Sequence, residues 1–200
     1  MNPPAWPPRI LRGLAGAALL ALLGACAAPP RLGSLPPGCA LDYSGRISVV
    51  EQGAHPYNLY GSFELHLEPD SGSLELGSPL GQMLARASWS ADSASVSNGH
   101  EQRGFDSFED MTEATLGLRL PRAALQDWVR GRPAAAWASR ALEQGGFEQL
   151  GWQVRVQRVD GRPHVLRLSR SRGQDSEQLS LVIDQASLPR PGCEPAGSAP

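Results

Sequence analysis

The side chains that most often carry catalysis are scattered along this sequence rather than grouped. The histidines stand far apart, at His55, His66, His100 and His164. No second ligand accompanies any of them at a metal-binding spacing, so a surface or hydrogen-bonding role is favoured over metal ligation. Motifs for a nucleophilic serine, a phosphate-binding loop and a zinc protease are also absent from the sequence. The residues therefore predict no enzyme, no metal site and no nucleotide site.

Charge argues against nucleic acid as a partner. The 18 basic residues are all arginine and face 20 acidic ones, for a formal charge of −2. Residues 40–127 carry 13 acids and 5 arginines, whereas residues 128–185 carry 6 acids and 9 arginines. Two interpretations of the second stretch stay open. It forms a basic face for anionic headgroups or an acidic carrier, or it consists of solvated outward positions such as Arg155, Arg167 and Arg170.

The first 25 residues are typical of a secretory signal peptide. Two arginines precede an uncharged apolar run at residues 13–23, about half the length of a membrane-spanning helix. The run ends in Leu23-Gly24-Ala25-Cys26, which resembles the lipobox of bacterial lipoproteins. The resemblance implies a diacylglycerol and an N-acyl chain on Cys26, with no other cofactor. Ala27 follows instead of aspartate, which favours the outer membrane of a Gram-negative cell. A plain signal peptide with a chance cysteine is the alternative.

Proline marks the predicted ends of the folded domain. Four prolines make residues 26–39 a stiff tether after the acylated cysteine, and four more predict a disordered tail at residues 187–200. The domain itself is expected to span residues 40–186.

Apolar and polar residues alternate through much of this domain. The longest example covers residues 57–67, where most odd positions are apolar. The same alternation recurs at residues 74–76, 83–89, 152–156, 166–168 and 179–183. A period of two predicts antiparallel strands with one apolar and one polar face. Turn sequences separate these strands at residues 69–72, 98–99 and 160–161.

Two segments in the middle break the alternation. Ser107 with Asp110 predicts a helix to about Leu116, whose acidic first turns suit the helix dipole better than they suit an acid–base pair. Pro121 predicts the start of a second helix, which ends before Gly131. Residues 134–148 fit either a helix or a loop. The pattern predicts a mainly β fold, a strongly curved antiparallel sheet or incomplete barrel with a lid of short helices.

Several short motifs, in order between residues 43 and 184, resemble those of the LolB family of outer-membrane lipoprotein receptors. They are Ser44-Gly45-Arg46-Ile47-Ser48-Val49, Leu74-Glu75-Leu76, Ser78-Pro79-Leu80-Gly81-Gln82, Leu118-Arg119-Leu120-Pro121, residues 125–133, Gly151-Trp152, Leu166-Arg167-Leu168-Ser169 and residues 179–184. Each motif is weak by itself, but together with the lipobox they are fairly specific.

The resemblance implies an incomplete barrel with an apolar cavity and a transfer function. Family members take lipoproteins from the periplasmic carrier LolA and insert them into the inner leaflet of the outer membrane. The implied partners are a LolA-type carrier, acylated lipoproteins and outer-membrane phospholipid. The chain is expected to be a monomer whose domain faces the periplasm. The main rival is a structural or adaptor lipoprotein with a filled core that binds a protein partner, and a periplasmic hydrolase is supported by no motif.

A sheet with one apolar face can accommodate acyl chains. The residues expected to line this face are Leu59, Phe63, Leu65, Leu76, Met83, Trp89, Trp152, Val154, Leu168 and Leu181. For each of them an ordinary core position is the alternative.

Leu80 lies in a predicted tight turn between Pro79 and Gly81. In the LolB pattern this loop carries an apolar residue that protrudes and engages the membrane. The three residues are therefore expected to form a membrane-insertion loop, and a leucine folded back on the core is the alternative. Burying one leucine contributes about 1.5–3 kcal/mol, which suits transient insertion rather than anchoring.

Cys39 and Cys193 bracket the predicted domain and do not belong to the LolB pattern. An oxidising periplasm permits a disulfide between them, and two free thiols are the alternative.

Overall fold

The computed structural model describes residues 35–53, 56–187 and Cys193. These residues belong to one compact unit, within which eleven strands and two helices are found. The strands are β1 (Leu41–Gln52), β2 (Tyr57–Leu67), β3 (Gly72–Gly77), β4 (Met83–Trp89), β5 (Ala94–Ser97), β6 (Gln102–Phe105), β7 (Arg140–Ala141), β8 (Phe147–Gln149), β9 (Trp152–Val159), β10 (Arg162–Arg172) and β11 (Asp175–Ala186). The helices are α1 (Phe108–Leu116) and α2 (Arg122–Val129).

One antiparallel sheet contains all of these strands, in the order β6-β5-β4-β3-β2-β1-β11-β10-β9-β8-β7. Strands β1 and β11, which are far apart in the sequence, pair at its centre. The other neighbouring strands are consecutive in the chain, as expected for hairpins. Because β6 and β7 lie at opposite edges of the described sheet, it does not close into a barrel. The predicted mainly β fold with a strongly curved, incomplete barrel is confirmed.

Both predicted helices form for local reasons. The Ser107 side chain accepts a hydrogen bond from the backbone N–H of Asp110 at 3.1 Å and caps α1. Gly117 ends α1 in the left-handed region at φ 69°. Helix α2 follows Pro121 and ends before Gly131, where φ is 71° and an added Cβ would lie 2.8 Å from a Val156 methyl group. Only glycine suits that turn.

The helices cover the inward face of the sheet, which we define as the face carrying the buried strand residues. The Phe108 ring of α1 lies 4.7 Å from the Trp89 ring of β4, centroid to centroid. The Trp128 ring of α2 lies 6.4 Å from the Phe147 ring of β8. Strand and helix residues thus share one hydrophobic core, and the helices form the lid that the sequence predicted.

Residues 134–148, left open between helix and loop, contain the small β7–β8 hairpin preceded by turns. Gln149 holds this segment against α2. Its Oε1 accepts hydrogen bonds from Trp128 Nε1 at 2.8 Å and from the Ala134 N–H at 2.9 Å. Its Nε2 donates to the carbonyl oxygens of Ala134 at 2.8 Å and Trp137 at 2.9 Å. The buried amide is fully hydrogen-bonded, so it costs little to bury.

Packing begins before residue 40. Leu35 and Cys39 are buried, and the Leu35 N–H donates to Gln126 Oε1 of α2 at 3.2 Å. Cys39 and Cys193 are joined in a disulfide, with their Cα atoms 5.5 Å apart. The predicted signal peptide, Cys26, most of the tether and most of the tail lie outside the described residues. In the part of the chain that the structure describes, no helix is long and apolar enough to cross a bilayer.

Candidate functional site

A cavity of about 140 Å³ lies between the inward face of the sheet and the two helices. It is partly open to solvent. Its lining is almost wholly apolar, with Tyr57, Thr112 and Thr115 as the exceptions. Burial raises the pKa of Tyr57 above its ordinary value of 10.0, so its hydroxyl stays neutral. A site of this composition offers hydrocarbon contact and has no group suited to acid–base chemistry near neutral pH.

Seven of the ten predicted inward residues line this cavity: Leu59, Phe63, Leu65, Leu76, Trp89, Leu168 and Leu181. They come from five strands that are brought together by the pairing of β1 with β11. Met83, Trp152 and Val154 do not line it.

Met83 lies on the outer face, opposite to the predicted one. Leu76 pairs with Ala85, but Gly77 pairs with Met83, which leaves Leu84 as the extra residue of a β-bulge. One extra residue reverses the direction in which the side chains before it point. Met83 accordingly borders an outer groove beside Ser62. The alternation of apolar residues contains no sign of the bulge.

Trp152 and Val154 face inward but lie in a filled part of the core. Val154 pairs with Leu168 on one side and Phe147 on the other. The Trp152 ring is covered by the Arg170 guanidinium, 4.4 Å from the ring centroid. Both residues are fully buried, so no space remains beside them for a ligand.

Arg170 differs from the interpretation of Arg155, Arg167 and Arg170 as solvated outward positions, because its side chain points inward. It pairs with Glu177 across the ladder, and its Nε donates to Glu177 Oε2 at 2.8 Å. Arg155 and Arg167 are exposed and directly opposite each other. Residue 170 has the opposite parity to residue 167 on the same strand, which explains its inward direction.

Several cavity residues were missed by the sequence prediction. On α1 they are Phe108, Met111, Thr112, Thr115 and Leu116, and on the strands they include Leu74, Ala85, Ala87 and Val96. The α1 set has the spacing of one helix face, so helical periodicity is the signal that could have found it. Ala85 and Ala87 follow the strand alternation, so the period of two is the signal that could have found them.

The loop between β3 and β4 holds the predicted membrane residues. The Ser78 N–H donates to the Gln82 carbonyl oxygen at 2.7 Å, and the Gly81 N–H donates to the Ser78 carbonyl oxygen at 2.9 Å. Gly81 has φ 80°, a value that favours glycine. The Leu80 side chain is 88% exposed. It therefore points away from the core.

A charged cluster lies at the C-terminal end of α2. Asp127 Oδ1 accepts hydrogen bonds from Arg130 Nη2 at 3.1 Å and Arg132 Nε at 3.0 Å. Burial raises the pKa of Asp127 and lowers that of Arg130. Burial also raises the pKa of nearby Tyr43 to about 12. The cluster lies beside the Gly131 turn and connects the end of α2 to the residues that follow it.

His66 and Asp42 form a pair on the outer face, with 2.6 Å between Nδ1 and Oδ1. The hydrogen bond to Asp42 raises the pKa of His66 above its ordinary value of 6.5. No group of His, Cys, Asp or Glu side chains within the described ranges is placed to hold a metal ion.

Comparisons with known proteins agree with this geometry. A sequence model of the family described as outer membrane lipoprotein LolB matches residues 40–185. The outer-membrane lipoprotein LolB of Bordetella petrii is 32% identical over 185 residues, covering 88% of this chain and 93% of that protein. The Cupriavidus pinatubonensis protein of the same name is 31% identical, covering 84% of this chain and 91% of its own length. The chain therefore belongs to the outer-membrane lipoprotein LolB family and is a lipoprotein of the Gram-negative outer membrane.

Proposed function

We propose that the protein accepts acylated lipoproteins from a LolA-type periplasmic carrier and inserts them into the inner leaflet of the outer membrane. The observation that carries the proposal is the apolar cavity between an unclosed sheet and two short helices. Acyl chains leave water when they contact such a surface, which is favourable in proportion to the apolar area covered.

Loading requires the helices to move away from the sheet. One buried water needs about 10–15 Å³ of cavity volume. This cavity has about 140 Å³. The space therefore holds about ten water-sized groups, fewer than the methylenes of one long acyl chain. Helices α1 and α2 cover the cavity from one side only. Because α2 is hydrogen-bonded to Gln149 and to the β2–β3 turn, α1 is the helix that moves furthest in this proposal.

The transfer needs no nucleotide and no metal, because each acyl chain passes from one apolar environment to another. The covalent groups that we propose are the diacylglycerol and the N-acyl chain on Cys26. Nine Cα–Cα steps separate Cys26 from buried Leu35 and span at most about 30 Å. The anchor thus keeps a monomeric domain close to the membrane, on its periplasmic side.

Leu80 is the residue that we propose engages the membrane during delivery. It is the most exposed of the large apolar side chains in the described structure, and Pro79 and Gly81 shape the turn that presents it. Leu80→Glu removes the apolar contact without touching the cavity. Such a variant should accept cargo and fail to deliver it.

The test is transfer of a lipoprotein from the loaded carrier to liposomes that hold the full-length acylated protein. Ala87→Phe places a ring in the cavity, and Ser88→Phe is the matched control because Ser88 is exposed on the outer face of the same strand. We expect Ala87→Phe to lose cargo acceptance and Leu80→Glu to lose delivery alone. Ser88→Phe should accept and deliver cargo normally.

A folded Ala87→Phe variant with normal acceptance would contradict the cavity as the acyl site. That outcome would favour the adaptor lipoprotein with a protein partner.

A further inference from the structure

We infer that the membrane contact extends beyond Leu80 to the whole tip of the β3–β4 hairpin, with Met83 and Leu84 as further lipid-contacting residues and Ser78 as the positioning residue. The inference rests on the proposed function, in which this loop meets the outer membrane. The occupant of the surface is the apolar boundary of a phospholipid bilayer.

The β-bulge gathers apolar side chains at this tip. Met83 is 49% exposed and Leu84 is 42% exposed, close in sequence to Leu80. A regular ladder would set Leu84 opposite Gly77, but the bulge leaves Leu84 unpaired and places Met83 on the outer face. Two apolar side chains that a regular strand would place on opposite faces are both open to solvent. Exposed apolar side chains that lie this close together in the chain are typical of an interaction site.

The tip carries no charge. Residues 76–85 contain no Asp, Glu, Arg or Lys. The charged residues on either side, Glu75 and Arg86, pair with each other, with 2.7 Å between Oε1 and Nη2. Entry of the tip into lipid would therefore remove no unpaired charge from water, which is the largest cost that such a step could have. This favours lipid over a charged protein surface as the occupant.

The backbone of the loop is already hydrogen-bonded within the loop. Ser78 Oγ accepts hydrogen bonds from the N–H groups of Leu80 at 3.3 Å and Gln82 at 3.2 Å. The N–H groups of Ser78 and Gly81 bond to carbonyl oxygens of the same loop. Pro79 has no N–H to satisfy. Every backbone N–H of residues 78–82 thus has a partner inside the loop, which lowers the cost of entering a medium without water.

Photo-crosslinking identifies the occupant. The full-length acylated protein is placed in phosphatidylcholine vesicles with a diazirine amino acid at position 80, 83 or 84, one at a time. Positions 150 and 159 are matched controls, because Leu150 is 41% exposed at the β8–β9 turn and Val159 is 54% exposed at the end of β9, five or more strands away from β4 in the sheet. We expect phospholipid adducts at 80, 83 and 84 and not at the controls, read by mass spectrometry.

The possible failures are distinguishable. An adduct at 80 without adducts at 83 and 84 overturns this inference and leaves the proposed function standing. Absence of adducts at all three positions overturns both this inference and the membrane role that we propose for Leu80. Adducts at 83 and 84 to added carrier or client protein, instead of lipid, identify a protein docking surface and also overturn the inference.

Ser78 is tested by its effect on delivery. Ser78→Ala keeps Leu80 but leaves two backbone N–H groups without the side-chain oxygen. Each lost partner is costly away from water, so we expect delivery to slow about tenfold or more while cargo acceptance is unchanged. Ser78→Thr, which retains the hydroxyl, should restore delivery. Normal delivery by Ser78→Ala, or an equal loss of acceptance and delivery, would overturn the positioning role.

Discussion

The inward face of the sheet has a cavity side and a filled side. On the cavity side, β4 and β5 present Ala85, Ala87 and Val96 beneath the helices, and space remains. On the filled side, β8 and β9 present large buried residues, among them Phe147 and Trp152. Both sides follow the same alternation of apolar and polar positions. The alternation therefore tells which face is inward, whereas side-chain volume and the covering element decide whether that face encloses a cavity.

The cavity side and the filled side also differ in their polar contacts. On the filled side, Gln149 ties residues 134–137 to α2, and the Arg170–Glu177 pair covers Trp152. These directional contacts hold one arrangement of the core. On the cavity side, α1 meets the sheet through apolar contacts such as that between Trp89 and Phe108. Helix α2 is also tied to the β2–β3 turn, because Gln126 Nε2 donates a hydrogen bond to the Pro69 carbonyl oxygen at 3.0 Å. Apolar contacts have no fixed direction, which suits a surface that must exchange its own helices for a client's acyl chains.

Loss of the disulfide should have the largest effect and should not distinguish the two sides. The bond joins cysteines 154 positions apart in the sequence, and it stabilises mainly by restricting the unfolded chain. Cys39→Ser should lower the free energy of unfolding by about 4 kcal/mol, measured by urea denaturation, and leave transfer by the folded protein intact. Reduction should add two hydrogens to the mass. Two thiols that react without reductant would contradict the pairing.

Gln149→Leu should destabilise the filled side. The change leaves Trp128 Nε1 and the backbone groups of Ala134 without their partners inside the core. We expect a loss of about 3 kcal/mol in the free energy of unfolding. Gln153→Leu on the exposed face of β9 is the control and should change stability by about 0.5 kcal/mol or less. Equal effects of the two changes would refute the hydrogen-bonded hub.

The same ring added on each side should have opposite consequences. Val154→Phe overfills a packed site and should cost about 1–3 kcal/mol. Ala87→Phe enters existing space, so we expect stability to stay unchanged or to rise by about 1 kcal/mol while transfer is lost. Thermal unfolding of the two variants measures the difference. If Val154→Phe and Ala87→Phe are equally destabilised, the space on the cavity side is no larger than that on the filled side, and the comparison fails.

Asp42→Asn on the outer face should have the smallest effect and should alter neither the cavity side nor the filled side of the inward face. The Asp42 hydrogen bond raises the pKa of His66, so this pair stabilises the fold below the ordinary pKa of 6.5 and loses that contribution as pH rises through the folded value. Asp42→Asn should bring the pKa of His66 down towards 6.5. An NMR titration of the His66 ring checks this, and an unchanged midpoint would exclude the pair.

Local rules account for what could be predicted. The Ser107 cap, the Pro121 helix start and the hairpin turns each depend on residues within a few positions of one another. The seven predicted residues that line the cavity follow from a period of two, which short-range sterics impose on a strand. The motif around Leu80 likewise located an exposed loop. These features required no knowledge of what packs against them.

The sequence by itself determined the class of fold, the inward face of most strands and the family to which the chain belongs. Tertiary structure alone decided the bulge that turns Met83 outward, the inward direction of Arg170, the hub at Gln149 and the approach of Cys39 to Cys193. Each of these depends on a partner distant in the chain or on a register that the pairing strand sets. Whether the apolar face encloses a cavity belongs to the same group, because empty space is a property of two packed surfaces and is not encoded by either one alone.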